Sequence, residues 1–326
     1  MGTPLATLAS RPGRRAAATL ALLLLLSGCT AEAGTASRPV EGLLILTRAD
    51  TASLAVLAAK KDSDEAVTIG LPLPDGDTTW VSAGDGGVLV GSMAEGQLAT
   101  SDPVDPRGAA ADIAGLEWTP LEATDEAGRP VPVAGLATWA PGAGRFAALS
   151  GDLRGGGDIT LLVVDTKGGK ATTIALKRPL LASPPVWLDA NRLALLTGSG
   201  SEPATLVVDT ANGKITNGPT DERRLATSAD GKVIATSAGA GAPVVLRSSK
   251  GWLADDGTSI GSIEVPDGFT QAISLALDAN GDRLAIVWRR EDGRSRSDVH
   301  DGTDGWRRVW SQPVAGTATA AVAWLR

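Results

Sequence analysis

Two segments decide the fold: "LLVVDTKGGKAT" at residues 161–172 and "TLVVDTANGKIT" at residues 205–216. They match in residue type along their length, with Asp165 and Asp209 44 positions apart. Each reads as a β-branched apolar run, a tight turn carrying Gly or Asn, and a second strand, which is the pattern of a β-hairpin. A second unit recurs more widely: "TWVSAGDGGVLVGSM" from Thr79, "TWAPGAGRFAALSG" from Thr138, "VWLDANRLALLTG" from Val186, "ATSADGKVIATSA" from Ala226 and "LALDANGDRLAIVW" from Leu275. In each, a short strand ends near a Trp or a small residue, a Gly, Asn or Asp turn follows, and an apolar strand leaves it. Trp80, Trp139, Trp187, Thr227 and Ala276 take the equivalent place, at spacings of 59, 48, 40 and 49.

A period in the forties with four short strands per unit is the sequence mark of a β-propeller. With the strands of a unit named A to D, the Trp-turn unit is the A–B hairpin and the "VVDT" unit is C–D. The ends then set the number of units. The chain finishes on "AVAWLR" (321–326), an A strand with Trp324 placed 48 after Ala276. It opens its folded part with "EGLLILTRAD" (41–50), a B strand with no A strand before it. The reading is an all-β, six-bladed β-propeller of four-stranded antiparallel blades, its ring closed by the C-terminal strand pairing with the N-terminal one. Closure of this kind removes exposed sheet edges.

The repeats resemble those of TolB-like and WD-repeat propellers of bacterial envelopes, whose units read Trp-Ser-Pro-Asp-Gly before a B strand. Trp139-Ala140-Pro141-Gly142 and Ser228-Ala229-Asp230-Gly231 carry the likeness, which covers about residues 41–326. Propellers host many unrelated activities, so the resemblance implies architecture more than chemistry. The tryptophans of the A strands are expected to be wedges between blades, each burying a large apolar area.

Ahead of the repeats lies "RRAAATLALLLLLSGCTAEAG" (14–34), with the chain's single cysteine. Arg11, Arg14 and Arg15 precede an apolar run from Ala16 to Leu26, and no acid occurs before Glu32. This is the build of a secretory signal. The run is too short for the ~20 residues of a membrane-crossing helix. Leu26-Ser27-Gly28-Cys29 resembles the lipobox of bacterial lipoproteins. The resemblance implies a diacylglycerol thioether on Cys29, a signal peptide at 1–28, a flexible tether at 29–40 and a propeller at 41–326. The expected location is the extracytoplasmic side of the cell membrane, with the membrane itself as one partner through the lipid. "GRRAAAT" lacks the Ser before and the Phe-Leu after that twin-arginine export usually shows, and the export route stays open.

Loss of residues 1–28 would remove three arginines and no acids, leaving 27 basic and 37 acidic residues and a net charge near −10. Such a balance argues against nucleic-acid binding. With Cys29 acylated no thiol remains for a disulfide, so stability must come from the core.

The chain is poor in catalytic chemistry. Its one histidine, His300, lies in "SDVHDGTDGW" and reads as a surface or edge residue at a C–D turn, away from the channel-lining A strands. The inner strands "LATWA", "PVWLD", "RLATS" and "SLALD" contain few carboxylates. Asp189 and Asp278 sit at the turns that leave them, where carboxylates commonly bind local backbone amides. "GGG" at 155–157 has no Lys-Ser/Thr after it, and "DGDTTW" at 75–80 lacks the spaced acids and final Glu of a calcium loop. The expectation is a non-enzymatic binding scaffold for proteins or ligands in the envelope, monomeric, with no cofactor and no metal. The alternative is a calcium-dependent lactonase-like or other propeller hydrolase.

In a four-stranded blade the A–B and C–D loops share one face and the B–C and D–A loops the other. The folded part begins and ends on the A–B face, so a ten-residue tether from Thr30 to Pro39, at most about 33 Å long, would hold that face nearest the membrane. The opposite face carries Arg154, Lys177, Arg178, Arg223, Arg224, Arg289, Arg290, Arg294 and Arg296, interleaved with acids. The long loop "RREDGRSRSD" (289–298) on that face is the expected dock for an envelope protein or wall polymer.

Overall fold

The structure is a computed structural model. It describes residues 40, 42–48, 52–57, 66–70, 79–84, 87–92, 97–100, 118–133, 135–142, 144–151, 159–176, 183–198, 204–314 and 320–325. The segment expected to be a signal peptide, nearly all of the expected tether including Cys29, and Arg154, Lys177 and Arg178 lie outside the described residues.

The described strands form six four-stranded antiparallel sheets. The first joins β26 (Ala321–Trp324), β1 (Leu43–Arg48), β2 (Ala52–Leu57) and β3 (Ala66–Gly70) in that order. The second holds β4 (Thr79–Gly84), β5 (Gly87–Ser92), β6 (Gln97–Thr100) and β7 (Trp118–Pro120). A separate two-stranded ribbon, β8 (Ala123–Thr124) with β9 (Pro130–Val131), follows it. The third sheet runs through β10 (Gly135–Trp139), β11 (Arg145–Gly151), β12 (Ile159–Asp165) and β13 (Ala171–Leu176). The fourth is β14 (Val186–Trp187), β15 (Arg192–Thr197), β16 (Ala204–Asp209) and β17 (Ile215–Thr220). The fifth is β18 (Arg224–Thr227), β19 (Val233–Ser237), β20 (Val244–Ser248) and β21 (Gly261–Ile263). The sixth is β22 (Gln271–Leu277), β23 (Arg283–Arg289), β24 (Ser295–Asp301) and β25 (Arg307–Val314). The fold is all-β, with its antiparallel sheets in a propeller arrangement.

Burial explains why these segments look as they do in sequence. The B strands are covered on both faces by neighbouring sheets, so they read as unbroken apolar runs: β11 buries five consecutive residues and β15 the same number. The D strands lie outermost and alternate or open to solvent, as in the "ATTIAL" of β13 and the largely exposed "ITNGPT" of β17. Hydrophobicity therefore falls from the second strand of each sheet to the fourth.

The "VVDT" repeat is the C–D hairpin in both places. Lys170 O receives the Asp165 amide and Lys214 O the Asp209 amide, each at 2.9 Å. Gly169 and Gly213 take the left-handed conformation that closes the turn, at φ 63° and 71°. The next residue binds the A–B turn of the same sheet: Thr166 N donates to Gly144 O and Thr210 N to Asn191 O. Ser249 N to Lys232 O and Gly302 N to Asp282 O repeat the contact in the fifth and sixth sheets. A–B and C–D turns thus share one face.

Neighbouring A strands are tied to one another by side chains. Ser82 Oγ bonds Thr138 Oγ1 at 3.2 Å, linking β4 to β10. Trp187 Nε1 donates to Thr138 O, Thr227 Oγ1 to Trp187 O, and Arg224 Nε to Ile273 O, linking β10, β14, β18 and β22 in turn. Val322 N donates to Ser274 Oγ, linking β22 to β26. β26 in turn packs against β4 and pairs with β1, Trp324 opposite Leu43.

Four expectations need correction. Aligned on the last pair before the A–B turn, the position of Trp139, Trp187, Thr227 and Trp324 is held by Leu277, one residue beyond Ala276. In the second sheet it is held by Gly84, not Trp80. Trp80 lies at the other end of β4 over Gly91, where a methyl group would stand 2.6 Å from its ring. The stretch 289–298 is not a long loop, because β23 runs through Arg289 and β24 starts at Ser295. His300 belongs to β24, and it is buried. Sequence reasoning also missed the short helix α1 (Ser249–Ala254), capped by Ser248 Oγ on Gly251 N, which buries Trp252 completely.

Candidate functional site

The A strands line a central cavity of about 270 Å³. Its wall is drawn from β4, β10, β14, β18, β22 and β26 and mixes apolar side chains with polar surface, the hydroxyls of Ser82, Thr138, Thr227 and Ser274 being engaged between strands. Two charged side chains line it among the described residues, Arg224 and Arg289. Arg224 opens β18 and Arg289 closes β23, so both come to the end of the cavity where the D–A and B–C loops meet.

Their placement follows from register. Gln271 at the start of β22 pairs with Arg289, and Thr270 N and Oγ1 both donate to Arg289 O at 2.8 and 3.0 Å. Arg224 Nε donates to Ile273 O at 2.8 Å and its Nη1 to Arg223 O at 2.6 Å. Burial, together with the positive charges of Arg289 and Arg223, pulls the Arg224 guanidinium below its ordinary proton affinity. Arg289 Nε is buried with no hydrogen-bond partner. No carboxylate lines the cavity among the described residues.

The remaining arginines expected at the docking face divide into two kinds. Arg290 and Arg294 occupy the short B–C turn, Arg294 exposed and 3.7 Å from Asp292. Arg290 lies over the Phe269 ring at 5.5 Å from the D–A loop beside it. Arg296 instead lies inside β24, its guanidinium carbon 4.3 Å from the centre of Phe269 and its Nη2 2.7 Å from Asp298 Oδ2. Asp298 is wholly buried and also receives Ser311 Oγ at 2.7 Å. Arg296 is thus bound within the sheet. Arg223 packs its side chain against Gly239.

The acids of the A–B turns bind local amides as expected. Asp189 Oδ1 receives Asn191 N and Arg192 N, each at 2.8 Å. Asp278 Oδ1 receives Asp282 N and Arg283 N, and burial raises its pKa. Among the described residues no three His, Cys, Asp or Glu side chains gather where a metal ion could sit. His300 Nδ1 meets Trp306 O at 2.9 Å, and its Nε2 is buried without a partner. Burial lowers its pKa below the ordinary 6.5.

No family model matches the chain, and no curated protein matches it. Among solved structures it is similar to TolB from Acinetobacter baumannii, with a TM-score of 0.60 and 14% identity over 87% of this chain and 66% of that one. It is also similar to a chain of a nidogen/laminin complex (TM-score 0.55, 11% identity, 87% and 99% covered). A TolB assigned to Agrobacterium tumefaciens gives a TM-score of 0.51 at 13% identity, covering 88% and 99%. The chain spans just under two thirds of the length of the Acinetobacter protein. At these identities the likeness is one of fold, a propeller of antiparallel sheets.

Proposed function

We infer that this protein is a lipid-anchored binding module of the bacterial cell envelope, a scaffold on which an envelope protein or wall polymer docks. The reading takes the six four-stranded sheets as six blades of one ring, closed where β26 pairs with β1. The A-strand hydrogen bonds and the packing of β26 against β4 support it. The two propellers named TolB share this fold and motivate the placement in the envelope.

One observation carries the functional reading: two guanidinium groups come to the cavity mouth on the B–C and D–A face. On the A–B and C–D face, Asp165, Asp189, Asp209, Asp230 and Asp278 spend carboxylate oxygens on backbone amides within their own turns. The opposite face brings Arg224 and Arg289 to the cavity mouth and sets Arg290 and Arg294 beside it. A tether leading from Cys29 to the start of β1 would fix the first face toward the membrane and leave the arginine face outward. Membrane fractionation tests the anchor: the native chain is expected with the membrane and Cys29→Ser in the soluble fraction. Equal membrane retention of both would overturn lipid anchoring.

A further inference from the structure

We propose that the cavity mouth between Arg224 and Arg289 binds a small organic anion through a carboxylate or phosphate group. The inference rests on the binding-module reading and gives its ligand a chemistry. Two guanidinium groups are held at one end of a cavity whose other described lining residues carry no charge, and no acid among them neutralises the pair. Burying a cation without a counter-charge is costly, and a bound anion removes that cost. Arg224 is fixed by its bonds to Ile273 O and Arg223 O, which pre-organise it. Arg289 is held through its backbone by Thr270 and Gln271, while its Nε has no acceptor. Guanidinium forks suit the paired oxygens of carboxylate and phosphate.

Size and lining narrow the class further. About 270 Å³ falls just under the usual range of ~300–1,000 Å³ for ligand pockets, so the site suits a short chain and not a folded partner. Leu225, Ile273 and Ala320 in the wall offer contact to an apolar portion. The anion could be a free metabolite or the carboxylate at the end of a peptide, and the experiment separates these sources.

The test uses the full-length protein in detergent at constant ionic strength, with chloride as reference. Probes are inorganic phosphate, succinate, and a short apolar peptide bearing either a free or an amidated C-terminus. Binding to the native state alone raises the melting temperature in a saturable way. At least one anion is expected to do so, with about tenfold or greater loss of affinity in Arg289→Gln and no loss in Lys214→Gln on the opposite face. Arg289→Lys, which keeps charge but loses the fork, should fall between. A response to phosphate or succinate marks a free anion, and a response only to the free-carboxylate peptide marks a chain terminus. Near-ultraviolet circular dichroism confirms that each variant is folded. No saturable shift with any probe, or an undiminished shift in Arg289→Gln, would overturn the proposal. If a partner still crosslinks to the arginine face under either result, the binding-module reading survives and only the anion site falls.

Discussion

Trp324 Nε1 donates a hydrogen bond to the Ala276 carbonyl at 3.0 Å, across 48 residues of sequence. The same indole is buried among Val40, Leu43, Ala276 and Ala285, so the last strand is wedged against the sheet before it as well as paired with β1. Trp324→Ala should cost about 3–5 kcal/mol, as for other buried aromatic truncations. Trp324→Phe keeps most of the area and loses the bond, about 1 kcal/mol. Urea denaturation followed by tryptophan fluorescence measures both, and equal costs would show that the bond and not the wedge dominates.

Arg296 and Arg294, two residues apart, should respond very differently to truncation. Arg296→Ala leaves the fully buried Asp298 with only Ser311 to answer it, and breaking a buried pair in this way costs about 3–5 kcal/mol. Arg294→Ala removes an exposed pair at 3.7 Å and should change stability by less than about 1 kcal/mol. Midpoints of chemical denaturation for the two variants decide the matter.

The fold was legible in sequence where local chemistry is strict. An Asp that caps its own turn and a Gly with positive φ make the "VVDT" hairpins recognisable without tertiary knowledge. Trp80 and Ala276 were misplaced because a short strand in isolation does not reveal which of its ends meets the A–B turn. The β24 segment reads as a loop because its charges, Arg296 and Asp298, neutralise each other inside a sheet. Arg224 and Arg289 stood out as basic residues of one face, but only strand register shows that they meet at the cavity. His300 was drawn toward the surface by its neighbours Asp301 and Gly302, whereas the strand continues through Asp301 before the turn begins.

His300 should make stability fall with acid. Its folded pKa is depressed by burial, so the unfolded chain takes up the proton more readily. Stability is then complete above 6.5 and declines as pH drops below that value. His300→Asn, which can still donate to Trp306 O, should flatten that decline between about pH 7 and 5. Glu222 acts in the opposite sense, since burial raises its pKa above 4.5. Its contribution is greatest below 4.5 and is lost as pH rises through the folded value, so this part of the pH dependence should vanish in Glu222→Gln. Denaturation curves at several pH values separate the two effects.

Binding at the arginine face is tested most directly by site-specific photocrosslinking of the full-length protein in the cells that make it. A photoreactive residue is placed at Arg294 or Asp267 on the arginine face, and at Asn212 or Lys232 on the opposite face. The expected result is a discrete adduct with an envelope protein or wall polymer from the first pair and none from the second. Adducts from Asn212 or Lys232 alone would contradict the assignment of the docking face.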